Sequence, residues 1–247
     1  MDAIEVAMRI AVVSDIHGNL TAFEDVLADL RHTAPDFVLH GGDLAEPGAH
    51  PTEIIDRIGE LSWNGVAGNT DELLFRPESL AEFAAQSSPA FAQLFAATAE
   101  MAAANRATLG EERLTWLRDL PRAYRQDSVA LVHASPGDLW RAPVLEASDA
   151  DLESLYSSLA GDVIVYGHIH MPYIRNIGER IIANSGSVGL PYDGDRRASY
   201  LLLDDGKPSI RRVEYRLESE LQALACRDLP HVEWIARSLR SARPELP

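Results

Sequence analysis

Along the first 75 positions, apolar residues recur in two alternating rhythms: short β-rich runs, and stretches spaced by three and four. Together these predict βαβ units around a largely buried sheet. Arg9–Val13 reads as a strand. Leu20, Phe23, Val26, Leu27 and Leu30 fall on one face of a helix, and Asn19 stands where a short amide side chain can cap its first free N–H groups. Residues 37–39 form the next strand, Ile54, Ile55, Ile58 and Leu61 mark a second helix, and a strand around Val66 ends at Gly68.

Between residues 76 and 122 the texture becomes alanine-rich and poor in strand signals. Ser88 before Pro89 reads as an N-cap followed by an N1 proline, and Phe91, Leu94, Phe95, Thr98 and Met101 make one apolar stripe. This predicts a helical insertion of two or three helices, serving as a lid, a dimer surface or simple side packing. Phe83, Phe91 and Phe95 are the residues placed to face a second copy in a homo-oligomer. Strands return at Val129–Val132 and Val163–Tyr166, with a helix between them through Leu152, Leu155, Tyr156 and Leu159. Residues 180–183, 199–203 and 209–215 read as further strands, and the turn Asp204-Asp205-Gly206 joins the last two, which predicts a second, antiparallel sheet. Helical patterns at Leu217–Ala225 and 232–239 form a carboxy-terminal extension at about 217–240. The expectation is one α/β domain over residues 1–247.

Charge narrows the partners. The chain carries 38 acidic and 22 basic residues, a formal charge of -16, which disfavours binding nucleic acid by broad phosphate neutralisation. A single cysteine, Cys226, allows no internal disulfide and no thiolate metal site, so any metal must be held by His, Asp, Glu or Asn. No apolar run approaches the roughly 18 residues of a membrane span. Asp2 and Glu5 stand where a signal peptide would carry positive charge, so no membrane partner and a cytoplasmic location are expected.

The chemistry gathers at the ends of the apolar runs. Asp15 and His17 lie two apart just past the first strand, and His168 and His170 repeat that spacing after a later one. If extended geometry persists, each pair leaves on one side. Asp43, Asn69 and His133 each follow a different strand. Any one of them alone is explained as a turn, capping or core residue; repetition at corresponding strand ends is what points to one site. Seven ligands are too many for one ion and suit two that share a carboxylate, for which Asp43 is the candidate. Imidazole with carboxylate favours two divalent transition-metal ions, Mn, Fe, Zn or Co, over calcium.

Asp15-Ile-His17, Gly42-Asp43, Gly68-Asn69, His133 and Gly167-His168-Ile-His170 resemble, in order and spacing, the motif series of the calcineurin-like metallophosphoesterases. Residues 184–198 are similar to a loop of that family's small bacterial and archaeal branch. The resemblance implies a four-layer α/β/β/α sandwich with the site on one edge. It places Asp15, His17 and His170 on a first metal and Asn69, His133 and His168 on a second, with Asp43 between, and counts Asp15, Asp43, Asn69 and His133 as catalytic. Two departures stand out. Many members carry a histidine where this chain has Thr70, whose hydroxyl donates a hydrogen bond but is no proton source near neutral pH. Asp71, which would orient that histidine, is left as a helix cap, and Glu46 replaces the family's second aspartate.

The function implied is hydrolysis of a small phosphoester substrate by attack of a metal-bridging hydroxide. With no histidine acid and a carboxylate-lined site, a diester is expected over a monoester. Thr70, Tyr192 and Arg196 are the candidate substrate contacts, with Asp193 and Arg197 on the same loop as Tyr192 and Arg196. The alternatives are a phosphomonoesterase or protein phosphatase of the same fold, and a metal-binding scaffold without catalysis; a nuclease fits the acidic composition less well.

Overall fold

The computed structural model describes residues 8–247, so Asp2 and Glu5 lie outside the described residues. Among the described residues ten strands form two five-stranded sheets. The first has the order β10 (Lys207–Val213), β9 (Ala198–Asp204), β1 (Arg9–Val13), β2 (Phe37–His40), β3 (Asn64–Gly65). The second runs β4 (Ala123–Gln126), β5 (Val129–Val132), β6 (Val163–Tyr166), β8 (Arg180–Asn184), β7 (Tyr173–Ile177). Strands β1, β2 and β3 are mutually parallel, as are β5, β6 and β8, while β9, β10, β4 and β7 pair antiparallel at the margins.

Alternation along the strands explains the stacking. Ile10 and Val12 of β1 join Leu39, Leu131, Val163, Val165 and Leu201 in a core between the sheets. Ala11 and Val13 point the other way, against Phe23, Val26 and Leu27 of α1 (Leu20–Thr33) and Ile54 and Ile58 of α2 (Pro51–Leu61). On the far side, Val132, Ile164 and Ile182 pack on Leu152 and Tyr156 at α6 (Asp149–Leu155). Two sheets with helices outside each give the α/β/β/α sandwich, and the parallel strands of both deliver their carboxyl ends to one edge. As its position predicts, Asn19 caps α1 by accepting from the Ala22 N–H at 2.9 Å.

Several expectations need correction. The 198–213 hairpin does not build a second antiparallel sheet. It extends the first sheet beside β1, while Arg180–Asn184 runs parallel to β6 in the other, so both sheets are mixed. The hairpin turn at Asp205 and Gly206 has positive φ at both residues, 52° and 69°, and this twist suits a tight antiparallel return. Strand β3 stops at Gly65, before Val66, although the Val66 N–H still bonds the His40 carbonyl. Strands β4 and β7 went unread because AYRQ and YIRNI mix polar with apolar at sheet edges, where burial imposes little pattern.

The insertion comprises α4 (Glu78–Ala84), a 3-10 turn at Pro89–Phe91 and α5 (Ala92–Asp119), preceded by α3 (Asn69–Phe75). Gly110, with φ 74° and ψ 161°, divides α5 in two. Ser88 caps by accepting from the Ala90 N–H, but onto the 3-10 turn and not onto α5. Helices α7 (Leu217–Ala225) and α8 (Val232–Ser241) close the chain, with Leu221, Leu224, Ile235 and Leu239 packed around Ala49, Met101 and Leu190. Among the described residues no helix is long and apolar enough to cross a membrane.

Candidate metal centre

The loops past β1, β2, β3, β5 and β6 converge, and the seven side chains singled out in the sequence meet. Asp15 Oδ1 lies 3.2 Å from His170 Nε2 and 3.9 Å from His17 Nε2, and the two imidazole Nε2 atoms are 3.0 Å apart. Asp43 Oδ2 lies 3.8 Å from His17 Nε2 and 3.5 Å from His133 Nε2. On the other side of Asp43, Asn69 Oδ1 is 3.0 Å from His133 Nε2 and 2.8 Å from His168 Nδ1. Two donor groups result, Asp15, His17, Asp43 and His170 in one and Asp43, His133 and His168 in the other, with Asp43 common to both.

The convergence does not come from extended strands, as the two-residue spacing suggested. Asp15, His17, Asp43, His168 and His170 all have left-handed backbone, with φ between 50° and 66°. This conformation is uncommon without glycine and is retained where surrounding structure enforces it, typically at functional sites. Backbone bonds enforce it here: the Asp15 N–H donates to Gly42 O at 3.0 Å, and the His17 N–H to Asp43 O at 3.0 Å. Gly68 cannot be replaced for a different reason. A Cβ there would run into the Asp43 carboxylate and backbone, so only glycine lets the turn after β3 approach Asp43.

The surrounding shell fixes which nitrogen faces inward. His17 Nδ1–H donates to the Glu46 carbonyl, His170 Nδ1–H to Leu190 O at 2.5 Å and His133 Nδ1–H to Gly41 O at 2.8 Å. Each Nε2 is therefore turned into the cluster, the orientation that supports metal-ligating histidines. His168 presents Nδ1 instead. Lone pairs facing one another across 3.0 Å repel, and a cation is what such a donor set accommodates. Imidazole and carboxylate oxygen without thiolate fit Mn, Fe, Zn or Co.

Electrostatics agree at His17 and His168. Burial lowers His17 below the ordinary imidazole range, and burial with the neighbouring His133 lowers His168 to about 4, so both imidazoles are neutral at pH 7. Burial pushes Asp15 up, but His170, His133 and His17 together outweigh it and hold the carboxylate well below its usual range. His133 runs the other way: burial is outweighed by Asp43 and Asp15, which raise it.

Sequence reasoning missed several supporting groups. Asp71 is more than a helix cap. Its carboxylate accepts from the Gly68 N–H at 2.9 Å, the Asp43 N–H at 2.8 Å and the Leu44 N–H at 2.9 Å, and so clamps the Asp43 turn to α3. Glu46 is buried, accepts from Asn105 of α5 and is pushed up to about 8 by burial and by Asp43; its carboxyl hydrogen-bonds none of the histidines, and its carbonyl supports His17. The 184–198 loop holds the ligands from behind, with Ser187 Oγ donating to Asp15 O at 2.7 Å and Leu190 O accepting from His170. These partners are mostly backbone atoms, which leave no mark in residue identity.

The candidate substrate contacts separate. Thr70 and Tyr192 line a cavity of about 310 Å3 above the cluster, and Tyr192 stacks on His170 with ring centres 4.4 Å apart. Arg196 lines a different hollow, with Asp195, Arg197, Glu214 and Tyr215, and is withdrawn from the substrate contacts. Arg197 pairs with Asp195, and Asp193 with Arg212, so these charges hold the loop and do not reach the pocket.

Comparison with known proteins places this geometry in context. The Calcineurin-like phosphoesterase superfamily domain matches residues 8–206. The uncharacterized protein MJ0912 of Methanocaldococcus jannaschii is 30% identical over 257 residues, covering 95% of this chain and 98% of its own. Phosphodiesterase YfcE of Escherichia coli K12 is 26% identical, covering 82% of this chain and 91% of its own. The crystal structure of a metallophosphoesterase from Sphaerobacter thermophilus superposes with TM-score 0.77 at 25% identity, over 95% of this chain and 100% of that one. With the sandwich, the strand-end donor set and these similarities together, the chain belongs to the calcineurin-like phosphoesterase superfamily of metal-dependent hydrolases acting on phosphoric esters.

Proposed function

We propose that this chain hydrolyses phosphodiesters at a dinuclear centre in which Asp15, His17 and His170 hold one cation, Asn69, His133 and His168 the other, and Asp43 both. The observation that carries the reading is the shared position of Asp43, whose Oδ2 lies within 3.8 Å of His17 Nε2 and 3.5 Å of His133 Nε2. Divalent cations, when bound, supply Lewis-acid polarisation of phosphoryl oxygens and a water acidic enough to act near neutral pH.

The protein's own part is positioning. Asp71 and the carbonyls of Gly41, Glu46 and Leu190 hold the donors so that little rearrangement is needed when a cation enters. Thr70 serves twice. Its N–H donates to Asp43 Oδ1 at 2.9 Å, while its buried hydroxyl has no partner and lines the cavity, free to donate to a substrate oxygen. That hydroxyl holds its proton at neutral pH, so leaving groups that depart unprotonated are favoured.

The diester preference has separate support. The cavity lining includes the Asp43 carboxylate but no lysine or arginine. A monoester dianion would enter with one more negative charge and no protein cation to meet it. The similar YfcE of E. coli is named a phosphodiesterase.

The test is direct. Protein reconstituted with Mn2+ should hydrolyse bis(p-nitrophenyl) phosphate faster than p-nitrophenyl phosphate, and metal analysis should find two ions per chain. The reverse substrate order would overturn the diester preference. A chain that keeps its metal yet hydrolyses neither ester would be a scaffold.

A further inference from the structure

Above the ligand cluster the cavity changes character. Its floor is His17, Asp43, Asn69, Thr70, His168 and His170, with Glu46 and Tyr192 beside them, whereas an apolar wall comes from three separate parts of the chain. Helices α4 and α5 of the insertion contribute Leu80, Phe83, Leu94 and Phe95; the segment after β5 contributes Trp140; and α8 contributes Trp234 and Ile235.

The aromatic groups are held in place. Phe83 stacks on Trp140 with ring centres 5.1 Å apart and planes 28° apart, and Phe95 meets Phe83 edge-on at 5.9 Å. Every polar handle on this wall is already engaged elsewhere. Trp140 Nε1–H donates to Glu72 Oε2 at 2.8 Å, and Glu72 is itself fixed by Arg122 at 2.8 Å and by Arg76. Trp234 Nε1–H donates to Glu245 O at 2.7 Å, and Thr98 Oγ1–H to Leu94 O at 2.9 Å. The wall built by α4, α5, Trp140 and α8 thus offers carbon surface and no free hydrogen-bond donor, while the cavity's free hydroxyls, those of Thr70 and Tyr192, stand beside the donor cluster.

We infer that this wall is the specificity element of the site and receives an uncharged, apolar arm of a phosphodiester, aryl or alkyl, beside the phosphoryl group. The inference rests on the phosphodiesterase reading of the same cavity. A sugar or polyol arm would surrender its hydrogen bonds to water with nothing on the wall to replace them, and this penalty selects against it. An apolar arm loses nothing and removes its own surface and the wall's from water. The occupant is a substrate arm, not a protein partner, because floor and wall line one continuous cavity.

Equilibrium titration of the Mn2+-loaded protein with diphenyl, di-n-butyl and dimethyl phosphate, all monoanions, tests this. The two larger esters should bind at least about tenfold more tightly than dimethyl phosphate. Diphenyl ahead of dibutyl identifies an aromatic arm, and the reverse an aliphatic one. In Phe95→Ala and Phe83→Ala, each verified as folded by circular dichroism, the diphenyl-to-dimethyl ratio should fall to about threefold or less. Equal affinities for all three esters, or a ratio unchanged in both variants, would overturn the inference. These outcomes are independent of turnover. Equal binding alongside hydrolysis of bis(p-nitrophenyl) phosphate removes only the wall's role, whereas preferential binding without hydrolysis removes only the catalytic reading.

Discussion

The floor and the walls of the cavity are built by opposite means. The floor consists of single residues just past the ends of buried parallel strands, four of them in left-handed backbone and His17 and His170 each oriented by a backbone carbonyl. The walls consist of half-buried apolar side chains on helices, held by one another and by a few polar anchors such as Glu72. Such a floor tolerates no change of donor, while the walls accept exchange of one apolar group for another. On the proposed reading, chemistry is therefore fixed at the floor and selectivity is adjustable at the walls.

The most severe way to break this contrast is Asp43→Asn, which removes charge from the one ligand common to both donor groups. Activity on bis(p-nitrophenyl) phosphate should fall by more than about a hundredfold, further than in any single histidine variant, with metal content reduced in parallel. A variant with wild-type turnover would show that Asp43 is not shared.

Next in size is Asp71→Asn, which leaves the donors untouched but replaces one oxygen of the carboxylate clamp with an amide nitrogen. Three backbone N–H groups depend on that clamp, and one of the three amide contacts would set donor against donor. The expected result is a roughly 10- to 100-fold weaker metal affinity by titration, with far-ultraviolet circular dichroism unchanged. Equal affinity would return Asp71 to a simple capping role.

A smaller effect is expected at the walls. Glu72→Leu removes the acceptor that fixes the Trp140 indole and frees Arg122, while Arg76 keeps Glu82. KM for aryl diesters should rise about three- to tenfold with kcat nearly constant, and Trp140 emission should shift as the ring loosens. A fall in kcat at unchanged KM would mean that the wall acts on the chemical step. Smallest of all, Arg196→Ala should change kcat/KM less than about twofold, since Arg196 lines a separate hollow. A large loss there would place the 193–197 loop over substrate.

Local pattern carried most of the framework. Leu20 through Leu30 predicted α1 with its cap, and the buried runs RIAVV, VALV and VIVY predicted β1, β5 and β6, because a strand covered on both faces must be apolar throughout. The polar residues just beyond those runs were legible as a site for the same reason: nothing in a buried strand's own stability calls for Asp, His and Asn at its end. Edge strands β4 and β7 were illegible, as was the sheet that the 198–213 hairpin joins, because both depend on neighbours distant in sequence. The apolar stripe from Phe91 to Met101 was visible, but its use was not. Met101 is buried against Leu190 and α8, Leu94 and Phe95 face the cavity, and Phe91 is left exposed.

The chain alone thus determined which residues offer donor atoms and roughly where each strand places them, since hydrophobic periodicity and donor identity are local properties of sequence. Tertiary structure decided how they act together. Left-handed turns, not extended strands, bring the donors within hydrogen-bonding distance, backbone carbonyls choose which imidazole nitrogen faces inward, and Asp71 ties α3 to the Asp43 turn. It also decided that α4, α5, Trp140 and α8 share one cavity. Those outcomes depend on backbone atoms and long-range packing, which every sequence possesses and none spells out.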